Sequence, residues 1–260
     1  MNRTFSPKPS LGLSICLALL LLAAVPAAAE DLTLEQVISK NIEAMGGADA
    51  WKAVESAKVQ GKMTMAGGFE LPMTLYFMRP GKVRVEMEMQ GQKIVQAFDG
   101  ETGWQIMPMM GKLDPQEMSE DEVKMVKNQA DFEGPLLNYK DKGHQVELVG
   151  KEEIDGTEAY KLKVTLKSGD IAYSYLDTEY FLEFKQEANV PNPAGVQMKT
   201  MIDVGDYKEI GDIVFPHSRT VQPEGLDQSM SVVFESVELN PEDVDGELFA
   251  MPAVETSAAQ

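Results

Sequence analysis

The residues from Lys58 to Pro108 constrain this chain most, because large apolar side chains recur there at every second position. Val59, Gly61, Met63 and Met65 fall on one side of an extended segment, with Gln60, Lys62 and Thr64 on the other. The alternation resumes through Phe69, Leu71, Met73, Leu75 and Phe77 and turns at Pro80-Gly81. It continues with Val83, Val85, Met87 and Met89 against Arg84, Glu86 and Glu88. Gly91 and Asp99-Gly100 then turn the chain into Ile94 to Phe98 and into Trp104 and Ile106. Successive side chains of a strand point to opposite faces, so a period of two builds a sheet with one apolar and one wet face. Five consecutive strands are expected here. What covers their apolar face decides what the protein can do.

The flanking segments supply candidate covers. Asp31 or Thr33 can cap a helix carrying Leu34, Val37, Ile38, Ile42 and Met45, which Gly46-Gly47 ends. A short turn from Asp49 to Val54 brings in Trp51. Residues 115–130 read as a polar helix with Met118, Val123 and Val126 as a narrow apolar stripe, and Phe132, Leu136, Leu137 and Tyr139 prolong the apolar contact. Val37, Ile38, Ile42, Met118 and Val123 are therefore candidate lid residues, and ordinary amphipathic packing accounts for each of them equally well. From Gln145 the period of two returns through a series of hairpins, giving about eleven strands in all. The expected fold is mainly β with some α: one unclosed antiparallel barrel under a helical lid, over residues 30–253, with 254–260 as a disordered tail.

Residues 1–29 read as a secretory signal peptide. Arg3 and Lys8 precede an apolar run from Leu11 to Val25, and Ala27-Ala28-Ala29 offers a small-residue cleavage site. The run is short for a membrane span. The only cysteine, Cys16, lies inside the run and not at the cleavage point, which argues against lipidation and leaves the mature chain without disulfides. A periplasmic, monomeric protein held together by packing is expected.

Charge and chemistry narrow the function. With 42 acidic against 23 basic residues and a net charge of −19, the chain opposes phosphate backbones, so no nucleic-acid partner is expected. The mature chain has two histidines, His144 and His217. His144 sits in a polar turn; His217 with Ser218 and Asp212 lacks the sharp turn that presents a nucleophile. Asp243-Val244-Asp245-Gly246 resembles part of a calcium loop, but Pro241 stands where the first ligand belongs. No catalysis, metal or cofactor is expected. Methionine is the over-represented residue: nine of the 17 lie between Met63 and Met110. Flexible thioethers suit irregular apolar partners, although a methionine-filled core is the plainer reading of each one. An unclosed barrel would leave an apolar hollow fit for an acyl chain, walled by Met63, Met65, Met73, Leu75, Phe77, Val85, Met87, Met89, Phe98, Trp104 and Ile106.

Specific stretches resemble a known family. Phe77-Met78-Arg79-Pro80-Gly81-Lys82-Val83-Arg84 is similar to the strand-ending Arg-Pro turn of the periplasmic carriers that sort lipoproteins to the outer membrane (LolA/LolB-like). Asp99 to Pro108, an Asp-Gly hairpin followed by an aromatic and a proline, resembles their next signature, and Asn240-Pro241 through Phe249 and Pro252 resembles their C-terminal close. The resemblance implies an apolar cavity under helices and a non-covalent shuttle for lipid or acylated protein. The partners it implies are an inner-membrane transporter or exporter and an outer-membrane acceptor. It also implies that Arg79 latches the lid by hydrogen bonds, where a solvated turn residue is the competing reading. Relatives of this fold also act as lipid-responsive regulators docked on inner-membrane proteins, which is the alternative function. The chain departs from the best-known carriers in its greater length, its acidic helical insertion and the lack of aromatics after Pro80.

Overall fold

The computed structural model describes residues 31–191, 196–226 and 228–253. The expected signal peptide and the expected tail lie outside these described residues. Among the described residues, thirteen strands form a single antiparallel sheet in two meanders joined through the first and last strands. The first meander comprises β1 (Ser56–Met65), β2 (Phe69–Met78), β3 (Lys82–Met89), β4 (Gln92–Phe98), β5 (Gly103–Met107) and β6 (Lys112–Glu117). The second comprises β7 (Gln145–Ile154), β8 (Thr157–Thr165), β9 (Ile171–Asp177), β10 (Glu183–Pro191), β11 (Gln197–Ile210), β12 (Ile213–Pro223) and β13 (Met230–Leu239). Strand β1 pairs with β13, which leaves β6 and β7 as the two edges of an unclosed sheet.

Two differences from expectation have plain causes. Residues 115–117 belong to β6 and not to a helix: Gln116 and Glu117 pair with Gln105 and Trp104. An edge strand needs one partner only and tolerates Pro115, so it lacks the apolar alternation that marks inner strands. The second is number: the described residues form thirteen strands where about eleven are expected, and the polar edge strand β6 accounts for one of those added.

The helices lie over one face of the sheet, the inner face. Helix α1 (Leu34–Ala44) starts with a capping box between Thr33 and Gln36 and puts Val37 and Ile38 against Val146, Leu162, Val164 and Leu176 of β7–β9. The short α2 (Ala48–Lys52) delivers Trp51 to the middle of the sheet, where its Nε1 donates to the Met45 carbonyl at 2.8 Å. Helix α3 (Glu120–Asn128) is capped by Ser119 and Glu122 and covers β3–β4, packing Val123 and Val126 with Met118 against Val83, Val85 and Phe98.

Topology dictates what happens between α3 and β7. The chain must travel from one edge of the sheet (β6) to the other (β7), and residues 118–144 make that journey across the inner face. Residues 129–144 do so without regular secondary structure. They are held by Phe132, stacked on Phe215 with centroids 5.0 Å apart and close to Phe77 and Trp51, and by the buried Leu136 and Leu137. On the outer face, a 3-10 turn over Gly246–Phe249 buries Phe249 against Trp104, whose Nε1 donates to the Phe249 carbonyl at 2.8 Å.

Candidate functional site

Three covers do not fill the inner face. Between α1, α2, the crossing segment and strands β8–β12 lies a cleft of about 1300 Å³, above the usual range of about 300–1,000 Å³ for ligand pockets. Ile42 and Met45 of α1 and its C-cap, Trp51 of α2, Phe77 of β2, Phe215 of β12 and the crossing residues Phe132, Leu136 and Leu137 give it apolar walls. Its wall on β9–β12 is polar: Ser174, Glu183, Gln186, Tyr207 and Arg219.

Arg79 ties the crossing segment down. It sits at the end of β2, where Arg79-Pro80 is a cis peptide bond. Its Nε donates to the Val54 carbonyl at 2.8 Å and its Nη2 to the Trp51 carbonyl at 3.2 Å. The same Nη2 reaches Glu133 Oε2 in the crossing segment at 2.5 Å. Glu133, with its side chain 9% exposed, also meets Lys142 at 3.1 Å, and Lys142 Nζ donates to Asp131 Oδ1 at 2.6 Å and to the Gly134 carbonyl at 2.7 Å. Burial pushes the Asp131 carboxyl above its ordinary range although Lys142 pulls the other way. Arg79 thus fastens the segment to α2 and the residues after it through Glu133, and Lys142 braces the segment internally.

The structure sorts the residues expected to wall an acyl-chain cavity into four places. Phe77 lines the cleft. Met63, Met73, Leu75, Val85, Met87 and Phe98 face the same side but pack under α2, α3 and the crossing segment. Met65 is 40% exposed at the end of β1, and Met89 is half-buried at the end of β3. Trp104 and Ile106 are on the outer face with Val95 and Ala97, which corrects their assignment to the cavity. The reason is register: Trp104 pairs with Ala97, one residue out of phase with Phe98, and a step of one residue reverses the face. Of the expected lid residues, Ile42 and Val123 line the cleft, whereas Val37, Ile38 and Met118 are packed in the core.

Sequence reasoning missed Glu133, Lys142, Glu183 and Arg219. Glu133, Lys142 and Glu183 sit near other charged residues in the sequence and Arg219 sits in a strand of mixed character, and only the fold brings them to one cleft. The histidine constellation does not assemble as a triad. His217 is buried with Nδ1 3.0 Å from the Phe215 carbonyl, and Ser218, its neighbour on β12, points to the opposite side. Asp243 pairs with Lys58 at 2.6 Å and Asp245 caps the final 3-10 turn; among the described residues no group of three His, Cys, Asp or Glu is placed to hold a metal.

No protein-family model matches the sequence, and no curated protein is similar to it in sequence. Solved structures do match in shape. A DUF1329 family protein from Desulfovibrio piger superposes with a TM-score of 0.59 at 11% identity, over 85% of this chain and 98% of that one. A LolA superfamily protein from Nitrosomonas europaea gives 0.57 at 14% identity, over 85% and 98%. A putative outer membrane lipoprotein-sorting protein domain from Vibrio parahaemolyticus gives 0.54 at 13% identity, over 82% and 94%. The chain therefore shares its fold, an unclosed antiparallel sheet with helices across its inner face, with a LolA superfamily protein and a lipoprotein-sorting domain, the kind of protein that its Arg-Pro turn and Asp-Gly hairpin resemble. Among the described residues no helix is long and apolar enough to cross a membrane.

Proposed function

We propose that the protein is a periplasmic carrier that holds the acyl chain of a lipid or an acylated protein in the inner-face cleft and moves it between membranes without covalent chemistry. The observation that carries this reading is the cleft of about 1300 Å³, walled in part by Trp51, Phe77, Phe132 and Phe215, under a chain segment fixed by side-chain contacts. Each methylene buried there is worth about 0.8 kcal/mol. The lipoprotein-sorting domain and the LolA superfamily protein that share the fold support the cargo class. Residues 1–29, read as an export signal, support the compartment. In this reading Arg79 latches the crossing segment, and breaking its contacts opens the cleft.

Visits to membranes are supported by the distribution of exposed apolar groups. The hairpin loops at 66–68, 90–91 and 108–111 all lie at one end of the sheet and contain no ionisable residue, in a chain of net charge −19. Met65, Phe69, Met109, Met110 and Leu113 are exposed at that end, joined by Ile171, Val190, Val196 and Leu226 from the second meander. The loops at 79–81 and 99–102 of the opposite end carry Arg79, Asp99 and Glu101. The three uncharged loops of the first meander, flanked by exposed apolar side chains, can meet a bilayer where the rest of this acidic surface cannot.

Titration of delipidated protein with a fluorescent fatty acid tests the reading. Saturable uptake is expected, with a loss of tenfold or more in Ala172→Trp, which fills the cleft from β9. No uptake, or equal uptake by a correctly folded Ala172→Trp, would refute it.

A further inference from the structure

The polar wall of the cleft has a pattern that acyl-chain binding alone does not use. Glu183 opens β10 with its carboxyl deep in the fold at the cleft wall. Ser174 Oγ, from a residue only 3% exposed on β9, donates to its Oε1, and Gln186 Nε2 donates to its Oε2 at 2.6 Å. Tyr207 OH donates to the Glu183 backbone carbonyl at 2.6 Å. The carboxylate is therefore oriented by two neutral donors, and each of its oxygens keeps a further lone pair for an incoming group. The nearby cation is Arg219. It lies on β12 opposite Val204 of β11, both residues line the cleft, and its exposed guanidinium makes no hydrogen bond or ion pair among the described residues. Burial drives the Glu183 carboxyl above its ordinary range, the hydrogen bonds from Ser174 and Gln186 and then the charge of Arg219 offset this only in part, and desolvation also raises the Tyr207 hydroxyl. A carboxylate fixed at the cleft wall by Ser174 and Gln186, with an exposed guanidinium on the same wall, offers an occupant of mixed charge one anionic and one cationic contact.

We infer that Glu183 and Arg219 form a headgroup subsite for an amine-bearing phosphate, the ammonium accepted by Glu183 and the phosphate by Arg219. This rests on the carrier reading and names the cargo more narrowly: a lipid with an ethanolamine-phosphate type of head, its chain lying against Trp51, Phe77 and Phe132. A zwitterion satisfies both groups at once. An anionic head satisfies only Arg219 and sets a negative charge against Glu183. A guanidinium can hold phosphate with two parallel hydrogen bonds, and a carboxylate oriented by Ser174 and Gln186 is already organised for an ammonium.

The test is displacement of a bound fluorescent fatty acid by lysophospholipids of equal chain length. The wild type should prefer lysophosphatidylethanolamine over lysophosphatidylglycerol by about tenfold. Glu183→Gln, which keeps the shape and can keep both contacts if the Ser174 hydroxyl turns to accept from the new amide, should erase that preference by weakening the ethanolamine lipid and relieving the repulsion of the anionic one. Arg219→Gln should weaken both phospholipids and leave the uncharged monoacylglycerol unchanged. Free ethanolamine phosphate should not displace the probe; displacement by it would move the site from lipids to a soluble ligand and overturn the assignment. Equal binding of both lysolipids by the wild type, or a preference that survives Glu183→Gln, would overturn the headgroup subsite while leaving the carrier intact. Failure of every lipid to bind would remove both.

Discussion

Replacing Arg79 with Ala should loosen the crossing segment and leave the sheet intact. The change removes two hydrogen bonds to the Val54 and Trp51 carbonyls and the ionic contact to Glu133. Truncating one partner of a buried charge pair costs about 3–5 kcal/mol. Here the Arg79 side chain is 40% exposed and Glu133 keeps Lys142 at 3.1 Å. Both facts lower the expected cost, to about 2 kcal/mol, because solvent screens the lost charge and Glu133 is not left alone. Since about 1.4 kcal/mol is a tenfold change in an equilibrium constant, the local opening equilibrium should shift roughly 30-fold. Amide hydrogen exchange reads this directly. The reporters are Lys142, Gly143 and His144, whose amides donate to the carbonyls of Asn138, Lys140 and Tyr139. They should exchange roughly 30-fold faster, while amides shared by β1 and β13 keep their rates. Arg79→Lys, which can keep one contact of three, should fall between. Unchanged exchange at 142–144, or an equal rise throughout the sheet, would refute the idea that Arg79 holds this segment in particular.

Other consequences follow from single contacts. Glu122 accepts hydrogen bonds from Gln105 Nε2 and from Ser119, which hold its carboxyl at about 2 against an ordinary 4.5. A depressed carboxyl stabilises the fold above its ordinary value and loses that contribution as pH falls from about 4.5 toward about 2. Thermal melts of Glu122→Gln should therefore lack this acid-side loss, and a wild-type slope in the variant would contradict it. Phe249 is fully buried against Trp104, so Phe249→Ala should cost about 3–5 kcal/mol in urea unfolding and shift the Trp104 emission to the red. A Cβ on Gly61 would stand 2.2 Å from the Val233 carbonyl oxygen. Gly61→Ala should thus force β1 and β13 apart and lower stability by about 1–3 kcal/mol, and a neutral result would mean the strands separate freely.

Much of the sheet was legible because period-two patterning is a direct imprint of a half-buried strand, and the first five strands carry it almost without interruption. Edge strand β6 was not, since pairing on one side leaves Lys112–Glu117 polar enough to resemble the first turn of a helix. The arrangement of the inner face was only half legible. Alternation assigns Met73, Leu75 and Phe77 to one face, but it cannot say that Phe132, from an aperiodic segment, would lie over them. Face parity is also lost wherever a turn intervenes, which is why Trp104 was placed inside when it packs under Phe249 outside. The polar wall left no local signal: Ser174, Glu183, Tyr207 and Arg219 come from four strands, and nothing short-range connects them.

Tryptophan fluorescence offers the sharpest test of an acyl chain in the cleft, because the chain has two tryptophans on opposite faces. Trp51 lines the cleft and Trp104 is buried behind the sheet. A fatty acid brominated along its chain should quench Trp104→Phe strongly and Trp51→Phe hardly at all. Equal quenching in both variants, or quenching confined to Trp104, would place the chain elsewhere and contradict the carrier.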